Sequence, residues 1–243
     1  MKLIMESWKR FLKESEMYDY RPENFGPLSM YHTDAGQYGQ IVLYHMMPKT
    51  GDNLIYLVGS LTYDETMEPC IPTTFQVSSV YVEKLARGKQ FSKILYDLAF
   101  YIVGDKGGGL TSDHMVGTTD IAKDKAWKYI NAASEGEYRK RKTEKPHENS
   151  KFDYTGEETP DDPKDDCDAG VKGPEGLATD HSYEKVNTSD AGATYKELIR
   201  NHLLNLRYLR KGKNMGWLEQ QLVNRADEGF NRAHLEQTEG EIS

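Results

Sequence analysis

At 243 residues, with a formal net charge of −8, 37% hydrophobic and 29% charged side chains, the chain can bury a real core, but only part of it has the composition to do so. An acidic balance is a poor match to a general nucleic-acid binder, which needs positive surface to displace counterions from phosphates. No apolar run approaches the roughly 20 residues that cross a bilayer, and the opening Met1–Glu6 meets charge too early for a secretory leader.

In chain order, residues 1–17 read as an amphipathic helix, with Leu3, Ile4, Trp8, Phe11 and Leu12 at helical spacing. Residues 18–37 contain Pro22, Gly26, Pro27 and Gly36 and read mostly as loop. Gly39–Met47 and Asn53–Tyr63 are apolar, β-rich runs around the turn-forming Pro48-Lys49-Thr50-Gly51-Asp52, which predicts an antiparallel hairpin. Thr74–Val82 follows as a third antiparallel strand, apolar on both faces and so expected to be central. A helix is predicted from Gln90 to Val103 because Phe91, Ile94, Leu95, Leu98 and Ile102 form one stripe. A short strand at Gly109–Ser112 and a helix from Thr119 to Asn131 complete an α/β layer over 18–134.

Residues 135–192 are acidic, Gly/Pro-rich and expected to be mostly loop, with one additional strand available at 181–186 and Arg139–Lys142 as a charged helix end. Glu157–Gly176 is expected to be the most mobile internal stretch. Residues 193–243 read as a helical hairpin, either docked on the core or offered to a protein partner.

The segment Val80-Tyr81-Val82-Glu83-Lys84-Leu85-Ala86-Arg87-Gly88-Lys89-Gln90-Phe91-Ser92 resembles the cofactor motif of the GNAT superfamily of acyl-CoA N-acyltransferases, in which a V-x-V strand leads through Arg/Gln-x-x-Gly-x-Gly/Ala into a helix. Gln90 stands where the motif has its first glycine, and Ser92 where it has Gly or Ala. The resemblance covers Tyr38 to Ile130, well under half the chain. It implies a GNAT-like mixed, largely antiparallel sheet flanked by helices. It also implies acetyl-CoA or another acyl-CoA as cofactor, its pyrophosphate held by Val82, Arg87, Gly88, Lys89, Gln90, Phe91 and Ser92. Such a loop works because backbone N–H groups and the helix dipole face the anion, and glycines let the backbone come close. Trp127 falls where many members place a tyrosine near the thioester sulfur.

The residues for acid–base chemistry are thin. Where the family places a glutamate base the chain has Thr73 or Thr74, neither of which can act as one. Glu68, Glu83, His114 and Tyr129 are substitutes by location only, so the catalytic residues are unassigned. The seven histidines show no metal spacing, and Asp161–Asp168 lacks the glycine and terminal glutamate of a calcium loop, so no metal site is expected. Cys70 and Cys167 make no redox pair in sequence, which favours a reducing, cytoplasmic setting. Ile/Leu-x-Glu before a small residue, twice in the first 15 positions, is similar to leader-cleavage sites in tailed bacteriophages, which would place the protein in a host cytoplasm or a virion. Two functions remain open, an acyl-CoA-dependent N-acyltransferase and an inactive GNAT-like interaction or virion protein.

Overall fold

A computed structural model of the chain describes residues 26–48, 53–66, 70–112, 126–132, 136–142, 181–209 and 215–240. Among them, seven strands form one sheet in the order β1-β2-β3-β4-β5-β7-β6. The strands are β1 (Leu28–Asp34), β2 (Tyr38–Pro48), β3 (Asn53–Glu65), β4 (Thr74–Val82), β5 (Gly109–Ser112), β6 (Tyr138–Lys142) and β7 (His181–Lys185). The helices are α1 (Phe91–Asp105), α2 (Lys128–Ala132), α3 (Ser189–Leu209) and α4 (Met215–Gly240). Every strand pair is antiparallel except β4 with β5. None of the described helices is long and apolar enough to cross a membrane.

Strand alternation sends Ile41, Leu43, Leu61, Tyr63, Phe75, Val77, Leu110 and Tyr183 to one face, where they bury against Phe91, Leu95, Leu98, Ala99 and Ile102 of α1. The three-strand antiparallel run and the helix after it lie where the apolar periodicity predicts them. On the opposite face, Val42, Tyr44, Met46, Ile55, Leu57 and Tyr81 pack on Leu206 and Leu209 of α3 and Leu218, Leu222 and Ala226 of α4. The two C-terminal helices are therefore docked on the sheet. Polar ties fix α3 to the β1 edge: Asn201 donates to the Leu28 carbonyl (2.8 Å), Asn205 to Ser29 Oγ (2.9 Å), and Tyr44 and His202 share a bond of 2.8 Å.

Several local expectations are corrected. Leu28–Asp34, placed in a loop, is a strand, because seven residues find ladder partners on β2. Arg139–Lys142, taken for a charged helix end, belongs to β6, the last strand of the sheet among the described residues, whose backbone pairs with β7 and whose Arg139 is exposed. Helix α3 begins at Ser189 rather than Thr194: Asn187 Oδ1 accepts from the Ser189 amide at 3.0 Å, and Gly192 lets the helix approach Tyr101 closely. Cys70 is disulfide-bonded, so it lends no support to a reducing setting. The proposed N-terminal helix and leader, the 48–52 turn beyond Pro48, the first part of the Thr119 helix and Glu157–Gly176 lie outside the described residues.

Candidate functional site

Two features meet at the carboxyl end of β4. The first is a bulge. Among the described residues strands β4 and β5 pair from Thr74↔Gly109 to Val77↔Ser112, and β4 runs on to Val82. At the same level the β3–β4 register shifts, Thr62 pairing with Ser79 and Tyr63 with Val77, so Ser78 is the extra residue of a bulge. The hydroxyls of Thr62, Ser78 and Ser79 gather there, with Ser78 Oγ 3.4 Å from Thr62 Oγ1 and Ser79 Oγ bonded to the same atom.

The second feature is the connection from β4 to α1. A single 3-10 turn, Lys84–Ala86, follows the strand, and Arg87 folds back so that its Nε donates to the Val82 carbonyl at 3.1 Å. Gly88 and Gln90 both take left-handed conformations, with φ of 76° and 64°. Phe91 is buried at 2% exposure and anchors the first turn of α1 in the core, while Gln90 and Ser92 are exposed. The Gln90 side chain makes no capping bond to the helix. For a side-chain-bearing residue the left-handed conformation costs on the order of 1 kcal/mol, and glycine adopts it freely. Alternating backbone of this kind, ahead of an uncapped helix start, turns amide groups toward one point and suits an anion.

The seven motif residues are thus brought together on one loop. The proposed chemical groups are not. Thr73 precedes β4 in a left-handed conformation, and the Thr74 hydroxyl donates to the Ile71 carbonyl at 2.7 Å. Glu83 accepts a bond from Tyr81 at 2.8 Å. Trp127 is a core residue at 2% exposure, edge-on to Tyr96 at 5.8 Å. Tyr129 is exposed and donates to Glu137 at 2.8 Å. That bond, with the Lys93 ammonium at 3.2 Å, holds the Glu137 carboxyl below its usual range despite partial desolvation. Lys93, Asp97, Glu137 and Lys185 form an ion-pair network between α1 and the β6–β7 edge. Glu68 and His114 lie outside the described residues. No cluster of metal-ligating side chains occurs among the described residues.

Compared with protein-family models, with curated proteins and with solved structures, the chain matches none of them.

Proposed function

We propose that the chain is a GNAT-fold, acyl-CoA-dependent N-acyltransferase whose pyrophosphate loop is Val82–Ser92. The observation that carries this reading is Gln90. It stands where the family motif has glycine, yet it keeps the left-handed backbone a glycine would supply and turns its side chain to solvent. In this role the loop amides hold the pyrophosphate, Arg87 adds positive charge beside it, and Phe91 fixes the helix start.

Thermal shift and calorimetry with acetyl-CoA test the reading. A ligand that binds only the native state adds about 2.7 kcal/mol at a hundredfold excess over its dissociation constant. Gln90→Gly is expected to tighten binding by removing the side chain at the loop mouth, and Arg87→Glu to abolish it. Absence of any shift in wild type and in Gln90→Gly at millimolar acetyl-CoA defeats the proposal.

A second reading, a GNAT-like protein without chemistry that serves as an interaction or virion component, is favoured by one surface. Leu203, Leu204 and Tyr208 of α3 are about half exposed or more, at 49%, 50% and 67%, which is the kind of patch a protein partner covers. The threonines at the expected base position favour it too. Acetyl-CoA binding without transfer to any amine would decide for it.

A further inference from the structure

On the face opposite α1, the sheet changes character between β3 and β6. Register places Gln76 beside Thr111, and Ser182 beside Arg141, while Leu110 pairs with Tyr183 and so sets Thr111 opposite Ser182. One row of polar side chains, Gln76, Thr111, Ser182 and Arg141, therefore crosses four adjacent strands on the same side. Thr111 and Ser182 have no exposed surface, yet neither hydroxyl has a hydrogen-bond partner. Buried polar groups are almost always paired, so two neighbouring exceptions ask for a missing partner.

Arg141 supplies the charge. Its guanidinium reaches over β7 and β5, donating to the Pro72 carbonyl at 2.9 Å and to the Thr73 carbonyl at 3.5 Å. With five N–H donors on the group, three remain. Gly109 is what lets it arrive: a Cβ there would sit 2.7 Å from the Tyr183 carbonyl oxygen, 2.8 Å from Ser182 Oγ and 2.9 Å from Arg141 Nη1. The hydroxyl and the guanidinium thus converge beside that carbonyl and close to Thr73, whose left-handed φ of 58° is costly for a β-branched residue. No carboxylate pairs with Arg141 among the described residues, and Glu184, the nearest on β7, is bonded to Arg139.

We propose that this corner, formed by Thr111, Ser182 and Arg141 around Gly109, binds a small oxyanion, a carboxylate or a phosphate group. Hydroxyls that can both donate, beside a guanidinium that can only donate, match ligand oxygens carrying negative charge. The site is distinct from the Val82–Ser92 loop. It sits at the opening of β4, eight residues or about 26 Å of extended strand away, and does not depend on the coenzyme reading.

Thermal shift with sodium malonate and with inorganic phosphate, each against sodium chloride at matched ionic strength, tests it in the full-length protein. Wild type is expected to gain melting temperature with at least one of the two anions in the millimolar range, and the responding anion tells a planar from a tetrahedral group. Arg141→Gln should abolish the response. Because that change also removes the tie to Pro72, the double variant Thr111→Val, Ser182→Ala is the cleaner control. It keeps the arginine and should raise the midpoint anion concentration at least tenfold. A wild type that answers malonate and phosphate no better than chloride overturns the site, as does a double variant that responds like wild type.

Discussion

The two faces of the sheet are built to different rules. Under α1 the face is apolar across strands β1 to β7, from Met30 through Phe75 and Leu110 to Tyr183, and closes on a single hydrophobic cluster. The other face is apolar only where α3 and α4 lie on it, over Val42, Tyr44, Ile55, Leu57 and Tyr81. Across β4, β5 and β7 it turns to Gln76, Ser79, Thr111 and Ser182. Because alternate residues of one strand serve both faces, β4 and β5 hold the fold together with one set of side chains and leave the other set free of that duty. The polar half-face is where the sheet keeps buried hydroxyls that the fold does not use, Thr111 and Ser182.

That division can be broken by experiment. The largest effect belongs to the apolar face: Leu98→Ala, with no exposed surface in wild type, should cost about 2–5 kcal/mol in denaturant unfolding. Thr111→Val, equally buried but on the polar half-face, should lie within about 1 kcal/mol of wild type, since an unpaired buried hydroxyl contributes nothing that valine loses. Equal costs would mean that the two faces are not specialised.

The next effect is pH-dependent and tests the helix-covered part. Burial pushes His45 down to about 4 and His202 down to about 4. His45 Nδ1 donates to the Gly26 carbonyl at 2.8 Å, and His202 lies against Tyr44. In the unfolded chain both protonate near the ordinary value of 6.5, so the unfolded state takes up protons first as pH falls. Stability from these neutral imidazoles is complete above about pH 6.5 and declines toward pH 4, by about 3 kcal/mol for His45 alone at the acid limit. His45→Gln should flatten the unfolding profile in that window. A profile that does not change would show that the ring is not buried neutral.

The smallest effect is backbone strain. Thr73→Gly should raise stability by about 1 kcal/mol, because glycine removes the cost of a left-handed, β-branched residue, and a loss would mean that its side chain packs usefully.

Strands β2 to β4 and helix α1 were legible in the sequence because their apolar residues repeat with the period of the element, and burial on at least one face enforces that period. Strand β6 was not, since an edge strand needs no apolar face, and Tyr-Arg-Lys-Arg-Lys carries no alternation to read. Strand β1 hid between Pro27 and Gly36, residues that mark turns but here only bracket a ladder. At the loop, the seven residues were placed together by motif, whereas the left-handed backbone of Gln90 has no sequence signal, glutamine not being one of the side chains enriched there. The Thr111–Ser182–Arg141 corner was wholly invisible: it joins three strands up to 71 positions apart, and only strand order brings them into one row.

The ends of the sheet carry one more consequence. An open sheet invites a neighbour's strand onto each exposed edge, and this molecule refuses the two edges by different means. The β1 edge is blocked by matter, with Asn201 of α3 already bonded to the Leu28 carbonyl. The β6 edge, the last strand among the described residues, is guarded by charge, since every residue from Arg139 to Lys142 is basic, so two copies meeting there repel. A steric guard is indifferent to salt, while an electrostatic one fades as the Debye length shrinks to about 3 Å at 1 M. Self-association through the sheet is therefore directional, and concentrated salt unlocks it at one end only.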